Sequence, residues 1–293
     1  MQIFYRPEQS VTVQSSSPSA GKPARVVEDW QRRFGRRVTF ASFEPVTRQD
    51  FYRVHDRAYV DGVFSLQIAN GFGTRQPEVV EALRYTSGSM RGAALAAWRG
   101  GGITVSPTSG FHHACYSRGG GYCTFNGLLL AALAVLDAGA KRIAIVDCDQ
   151  HYGDGTDEIL RHLNLDQRVR HWTLGAHSGT ERQMFAKIEA ELVAAAAECD
   201  LILYQAGADS HKDDPLGGVF TTAGYRERDR LVFAAAARAG VPLAWNLAGG
   251  YQEPLQKVLD LHAITLEEAL AAQLAYASRA VPATHSTTQQ EEG

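Results

Sequence analysis

The chain of 293 residues is long enough to bury a substantial core, and its 45% hydrophobic and 21% charged residues are an ordinary globular balance. A formal net charge of -3 gives no electrostatic reason to expect binding to nucleic acid or to a membrane surface, although a cationic substrate is compatible with it. The four cysteines form no CxxC pair, and residues 1–6 (MQIFYR) do not begin a secretory signal. We therefore expect a cytoplasmic protein with reduced, mostly buried cysteines.

The predicted elements alternate between strands and helices. Residues 10–24, rich in Ser, Pro and Gly, predict a loop, and one domain over residues 1–277 precedes a polar, flexible tail of residues 278–293. Short apolar strands alternating with helices predict an α/β fold with a central parallel sheet, helices on both faces and an active site at the carboxyl ends of the strands. The strands are predicted at 103–106, 142–147, 201–205 and 242–247, and the helices at 127–139, 156–163 and 224–239.

Acidic residues and a histidine follow two of the predicted strands. In residues 147–155 (DCDQHYGDG), Asp147, Asp149 and His151 alternate and can point the same way on an extended chain. Asp209 lies just past the end of another strand. Asp149, His151 and Asp209 would supply three protein ligands and leave one position open, as in a catalytic zinc site.

Two adjacent histidines, His112 and His113, follow the predicted strand 103–106. In a loop both imidazoles can turn toward one pocket, and each needs a partner that sets its tautomer and basicity. The carboxylates of Asp147 and Asp154 suit that role. The alternative for the histidines is a polar loop. The alternative for the acids is a role as turn residues and helix caps, which Asp154 or Asp157 could have.

A Gly-Gly-Tyr motif, residues 249–251, follows the predicted strand 242–247. Two glycines let the backbone turn sharply and approach a ligand. Tyr251 can then extend its phenol over the metal and donate a hydrogen bond to a developing oxyanion. By itself the motif is equally typical of a packed turn.

Taken together, these segments resemble the histone deacetylase superfamily, including bacterial histone-deacetylase-like amidohydrolases and acetylpolyamine amidohydrolases. The motifs occur in the family order, within a similarity that covers residues 50–255. They are residues 110–114 (GFHHA), 121–126 (GYCTFN), 147–156 (DCDQHYGDGT), 207–209 (GAD) with 214–218 (DPLGG), and 249–251 (GGY).

The resemblance implies a single-domain arginase–deacetylase fold and a zinc-dependent amidohydrolase. Such an enzyme removes an acyl group, usually acetyl, from an amine nitrogen such as that of acetyl-lysine or an acetylated polyamine. It assigns one zinc ion per chain to Asp149, His151 and Asp209.

The resemblance also implies roles for the remaining polar residues. It pairs His112 with Asp147 and His113 with Asp154. It makes His113 the principal general base and acid, with His112 assisting electrostatically, and it makes Tyr251 the group that polarises the carbonyl.

Two further sets of residues follow from the resemblance. The substrate channel corresponds to Phe111, Gly121, Tyr122, Gly249 and Gly250. A structural potassium ion, which family members often hold, corresponds to Asp147, Asp149, His151, Thr173 and Leu174.

The chain departs from the family pattern at several positions. Tyr152 stands where relatives usually have His or Gln, and Tyr122 where many have Phe. Residues 73–76 (GTRQ) contain no Asp of the kind that grips a substrate backbone in relatives. Residues 175–180 are shorter than the usual channel rim, so we expect an open active-site mouth.

Two other functions are compatible with parts of the pattern. A two-metal ureohydrolase of the arginase type would use acids such as those in residues 209–214 (DSHKDD), but it needs more carboxylates that bridge a metal pair. A non-catalytic binding module would normally have lost a ligand or a base, and every matched position here is intact. The sequence does not indicate the physiological substrate, the acyl length or the oligomeric state.

Overall fold

The computed structural model describes residues 1–13, 15 and 17–280. Its last helix continues to Ala280, so residues 278–280 of the predicted tail are helical. Residues 281–293, the rest of that tail, lie outside the described residues.

A parallel sheet forms the centre of the described part of the chain. Its seven strands are β1 (Gln2–Phe4), β2 (Thr39–Ala41), β3 (Ile103–Ser106), β4 (Ile143–Asp147), β5 (Val169–Thr173), β6 (Leu201–Gln205) and β7 (Leu243–Asn246). They lie in the order β2-β1-β3-β7-β6-β4-β5, and each neighbouring pair is parallel. The expected α/β class with a central parallel sheet is therefore confirmed.

Helices cover both faces of the sheet. They are α1 (Lys22–Phe34), α2 (Arg48–Phe51), α3 (Arg57–Phe64), α4 (Pro77–Gly100), α5 (Gly127–Asp137), α6 (Asp154–His162), α7 (Glu181–Glu198), α8 (Thr222–Ala239) and α9 (Gln256–Ala280). None of these described helices is both long and apolar enough to cross a membrane. The four cysteines are free and buried.

Successive side chains of the central strands point to opposite faces of the sheet, so the core is divided into two clusters. In β4, Ile143 and Ile145 point into the cluster that contains α4 and α5, whereas Ala144 and Val146 point into the cluster that contains α7, α8 and α9. All four side chains are fully buried. Burial on both faces explains why this strand appears in the sequence as a continuous apolar run.

The predicted strands and helices occur within two residues of their expected ends, except near the amino terminus. The predicted loop 10–24 is partly wrong, because it contains a short 3-10 turn at Pro18–Ala20 and the first residues of α1. Proline is favoured in the first turn of a helix, where its missing N–H is not needed, and Ser17 caps the 3-10 turn. The proline and serine residues therefore mark helix starts in this segment.

Helix α4 has no counterpart among the predicted elements. Its middle contains Thr86-Ser87-Gly88-Ser89, a run of weak helix formers. Gly88 lies against the backbone of residues 44–46, where a Cβ would come within 2.7 Å of the Glu44 carbonyl oxygen. Close packing of the helix onto this segment outweighs the unfavourable local propensity.

Arg228 on α8 connects the ends of two central strands. It is fully buried, and its Nη1 donates to the carbonyl oxygens of Gly207 (2.6 Å) and Cys148 (3.3 Å). Its Nε and Nη2 donate to the neighbouring carboxylate of Asp229. These bonds fix the backbone that follows β4 and β6, immediately before the predicted metal ligands.

We expect Arg228→Met to lower the free energy of unfolding by about 3–5 kcal/mol, because it removes the cation beside the buried Asp229 carboxylate and a donor to two buried carbonyl groups. Urea unfolding measures the change. Arg230→Met on the same helix is the control, because it removes only an exposed ion pair with Glu227 and should cost at most about 1 kcal/mol. Equal losses in both variants would contradict this role of Arg228.

Candidate active site

The segments that follow β3, β7, β6 and β4 meet at the carboxyl edge of the sheet. These four strands are consecutive neighbours in the sheet. The tandem histidines come after β3, the Gly-Gly-Tyr motif after β7, Asp209 after β6, and the Asp-rich segment after β4. The parallel sheet thus brings together side chains that are far apart in the sequence.

Asp149, His151 and Asp209 converge on one point. Each offers one ligand atom, and these atoms all lie within 4.8 Å of one another. His151 Nδ1 is 3.1 Å from Asp149 Oδ1 and 3.2 Å from Asp209 Oδ2. Both carboxylates are buried, and His151 is half-buried.

The charges of this group favour the binding of a cation. Burial and the negative charge of Asp149 raise the pKa of Asp209 to about 7. Burial acts on Asp149 in the same direction, but His112 and His151 hold the pKa of Asp149 below its usual range. Asp209 Oδ2 is buried and accepts no hydrogen bond. Two adjacent buried carboxylates, an imidazole and an unbonded oxygen fit a divalent cation such as zinc.

The backbone of Gly249 forms one wall of this group. Its N–H donates to Asp149 Oδ2 at 2.9 Å. A Cβ at Gly249 would lie 2.9 Å from that oxygen and would overlap Asp209 Oδ2. Only glycine leaves room for both carboxylates here.

The tandem histidines each contact a separate carboxylate. His112 Nδ1 lies 2.7 Å from Asp147 Oδ2, and His113 Nδ1 lies 2.7 Å from Asp154 Oδ1. The two ring centroids are 4.1 Å apart. His112 Nε2 lies 3.6 Å from Asp149 Oδ1, so the pair borders the proposed metal ligands directly.

The two histidines differ in their affinity for a proton. Burial opposes a charge on His112, but the carboxylates of Asp147 and Asp149 raise its pKa to about 9. Burial and the neighbouring charge of His112 lower the pKa of His113 below its ordinary value. His113, whose side chain is 24% exposed, is the more accessible and the more easily deprotonated of the two.

Charged residues hold the Tyr251 turn on both sides. Asp214 Oδ2 accepts the backbone N–H of Tyr251 at 2.8 Å. Lys22, fully buried, donates to the carbonyl oxygens of Ala248 (2.6 Å) and Gly249 (3.3 Å). Burial and the nearby carboxylates raise the pKa of Tyr251, so that its hydroxyl stays protonated and can donate.

Lys22 is a site residue that the sequence analysis missed. It lies in the segment predicted as a loop, more than two hundred residues from the turn it contacts. Nothing in its local sequence distinguishes it from a surface lysine. Burial lowers its pKa to about 8, against the opposing charges of Asp209, Asp149 and Asp214.

A cavity extends from this site toward the surface. Phe111, Gly121, Tyr122 and Gly249 line it together with both histidines, Asp149 and Tyr251. Gly250, predicted with them, does not line this cavity; it faces Ala208 and Val258.

Aromatic residues line part of the cavity. The ring of Tyr122 lies 6.0 Å from that of Tyr251 and 5.8 Å from that of Phe72. Phe72 belongs to the loop in which relatives often carry an Asp, and residues 62–77 contain no carboxylate. Aromatic rings rather than a carboxylate therefore line this part of the cavity.

The residues predicted to hold potassium have other contacts. Asp147 accepts from His112 and from the N–H of Asp149, and Thr173 Oγ1 accepts from the N–H of Gly153. Thr173 lies beside Asp147 in the register of β4 and β5. Potassium binding stays a prediction.

The chain matches the family model of the histone deacetylase domain over residues 19–177 and 163–266. These matches cover most of the chain, so it belongs to the histone deacetylase family.

Individual relatives agree with this assignment. Histone deacetylase 2 of Arabidopsis thaliana is 29% identical over 198 residues, which cover 60% of this chain and 51% of that protein. Acetylpolyamine amidohydrolase 1 of Pseudomonas aeruginosa is 28% identical over 170 residues, 48% of each chain. The matches thus span about half the length of these two relatives.

The fold is that of solved family members. The HD domain of HDA15 superposes with a TM-score of 0.77 over 92% of this chain and 89% of its own, at 20% sequence identity. At that identity the likeness concerns the fold alone.

We expect Gly249→Ala to weaken zinc binding about 10- to 100-fold, the range typical of residues that support metal ligands, because the added Cβ displaces Asp209. Competition with a fluorescent zinc chelator measures the affinity. Gly120→Ala is the matched control, since a Cβ there meets no atom within 4 Å. Unchanged zinc affinity in Gly249→Ala would show that the turn does not shape the metal site.

Proposed function

We propose that this protein is a zinc-dependent amidohydrolase that removes an acyl group, in particular acetyl, from an amine nitrogen. The observation that carries the proposal is the convergence of Asp149, His151 and Asp209 with two His–Asp pairs and Tyr251 at one edge of the sheet. An amide is a poor electrophile and an amine a poor leaving group, so hydrolysis needs all of these groups together.

Asp149, His151 and Asp209 would hold the zinc ion. One imidazole and two carboxylates are ligands that zinc accepts, and three protein ligands leave a position for water or substrate. Bound there, zinc would polarise the acyl carbonyl and lower the pKa of water. Two anionic ligands reduce the effective charge of the ion, which increases the need for a general base.

His113 would move the protons. Its Nδ1 is engaged by Asp154, so the other ring nitrogen is the one that can take a proton from water and return it to the departing amine. Its lowered pKa leaves it unprotonated near neutral pH. The neighbouring carboxylates raise the pKa of His112 to about 9, which favours a positive charge on His112 beside the developing oxyanion.

Tyr251 would stabilise the oxyanion. Its protonated hydroxyl is a donor, and Asp214 and Lys22 fix the turn that carries it. A donor that is already in position costs no reorganisation when the charge develops.

The family includes proteins named for histone deacetylation and for acetylpolyamine hydrolysis, and both substrates present an acetylated amine. We favour such substrates for this chain. The two-metal ureohydrolase is less well supported, because Asp209 belongs to the one three-residue metal group found in the described part of the chain. Asp214, the last acid of residues 209–214, instead accepts hydrogen bonds from the N–H groups of Leu216 and Tyr251.

We expect the purified protein to release acetate from acetyl-lysine peptides or acetylated polyamines, to lose activity after chelation and to regain it with zinc. A screen of both substrate types with several acyl lengths, together with a metal count per chain, provides the measurement. One zinc per chain is expected. Full activity after complete metal removal, or a requirement for two ions, would refute the proposed chemistry.

We expect Tyr251→Phe to lower kcat about 10² to 10³-fold while folding and zinc content are unchanged, because the hydroxyl acts only once the oxyanion develops. Steady-state kinetics on the best substrate measure the loss. Tyr116→Phe, at a ring stacked on His162, is the matched control and should keep its kcat. Normal turnover in Tyr251→Phe would make Tyr251 a packed turn residue only.

A further inference from the structure

His171, on the edge strand β5, has no part in the chemistry described above. Its backbone is at the sheet edge, but its side chain is only 1% exposed. Its Nδ1 lies 2.6 Å from Asp157 Oδ1. Its Nε2 is buried, makes no hydrogen bond, and lies 3.9 Å from Asp147 Oδ2.

The oxygen that His171 faces is the one that contacts His112. Asp147 Oδ2 lies between the two imidazoles, 2.7 Å from His112 Nδ1 and 3.9 Å from His171 Nε2. Gly153 lies against both Asp147 and His171, since a Cβ at this position would be 3.0 Å from Asp147 Oδ2 and 3.0 Å from His171 Nε2. A side chain at position 153 would therefore separate the two groups.

The other side of His171 leads to the surface. Asp157, half-buried, also accepts a hydrogen bond from the hydroxyl of Tyr152, which is exposed. Tyr152 is the position at which this chain departs from the usual His or Gln of the family. A row of polar groups thus runs from Tyr152 through Asp157, His171 and Asp147 to His112, and its one step without a hydrogen bond is that between His171 and Asp147.

Electrostatics favour a positive charge in the middle of this row. Burial opposes a charge on His171, but the carboxylates of Asp147 and Asp157 on either side raise its pKa above the ordinary value. Independently of this charge, Nε2 is the polar ring atom of His171 that faces Asp147, 3.9 Å from Oδ2. A buried carboxylate is stabilised by such a partner.

We propose that His171 is a positioning residue, which holds the Asp147 carboxylate in the orientation that fixes the imidazole of His112. Its catalytic consequence rests on the proposed deacylase function, whereas its effect on His112 does not. Without the His171 ring beside it, Asp147 Oδ2 keeps only its contact with His112, and the carboxylate can rotate about the hydrogen bond between its Oδ1 and the N–H of Asp149.

Two substitutions separate the two nitrogens of His171. In His171→Asn the amide nitrogen replaces Nδ1 and retains the contact with Asp157, but nothing faces Asp147. In His171→Gln the amide nitrogen replaces Nε2 and faces Asp147. We expect His171→Asn to lower kcat about 10- to 100-fold with zinc content and KM unchanged, and His171→Gln to recover most of this loss.

A second readout does not depend on activity. The imidazole N–H protons of the 15N-histidine-labelled protein are observed by NMR, and the His112 signal is assigned by its loss in His112→Asn. We expect the His112 Nδ1–H signal to persist in His171→Gln and to broaden by exchange with water or shift in His171→Asn. His162→Asn and His162→Gln, at an exposed histidine, are the matched controls and should leave kcat and the signal unchanged.

Several results would overturn the proposal. An unchanged His112 signal in His171→Asn would do so, and so would equal losses in the Asn and Gln variants, which indicate packing alone. If both variants fail to fold, Asp157→Asn decides, because a positioning role predicts a weakened His112 signal and an unchanged signal rejects it. A wild-type protein without deacylase activity would refute the proposed function, and the NMR measurement would still test His171.

Discussion

Three carboxylates buried at one edge of the sheet are the constraint on which the site depends. Asp147, Asp149 and Asp209 are at most 2% exposed, and all three follow or end neighbouring strands. Unpaired buried charges are too costly to persist, so each carboxylate requires positive charge or hydrogen-bond donors nearby. The surrounding residues and the proposed zinc ion meet this requirement.

The compensating groups come from all parts of the chain. Lys22 approaches from α1, His112 from the segment after β3, and His171 from the edge strand. Arg228 does not touch the carboxylates but holds the backbone from which Asp149 and Asp209 extend. The buried carboxylates thus require positively charged or hydrogen-bond-donating residues around them. These surrounding residues in turn hold the reacting side chains in place.

This arrangement also explains how two adjacent histidines acquire different properties. His112 lies deeper, beside two carboxylates that raise its pKa, whereas His113 contacts Asp154 nearer the surface and has a lowered pKa. The two residues are of the same type, so their different surroundings account for the difference between their pKa values. Such a separation is what acid–base chemistry at neutral pH requires.

The sequence by itself determined the parallel α/β class and the motifs that carry the chemistry, because buried strands are continuous apolar runs and the polar residues follow them directly. It indicated Asp149, His151, Asp209, the tandem histidines and Tyr251 as candidates through their spacing and family resemblance. Only the tertiary structure decided which residues hold these candidates in place, such as Lys22. It also decided that Gly250 does not line the cavity. These contacts join segments distant in sequence, and a lone buried lysine leaves no local pattern. Helix α4 likewise depends on packing against residues 44–46, which the weak helix formers in its own sequence do not predict.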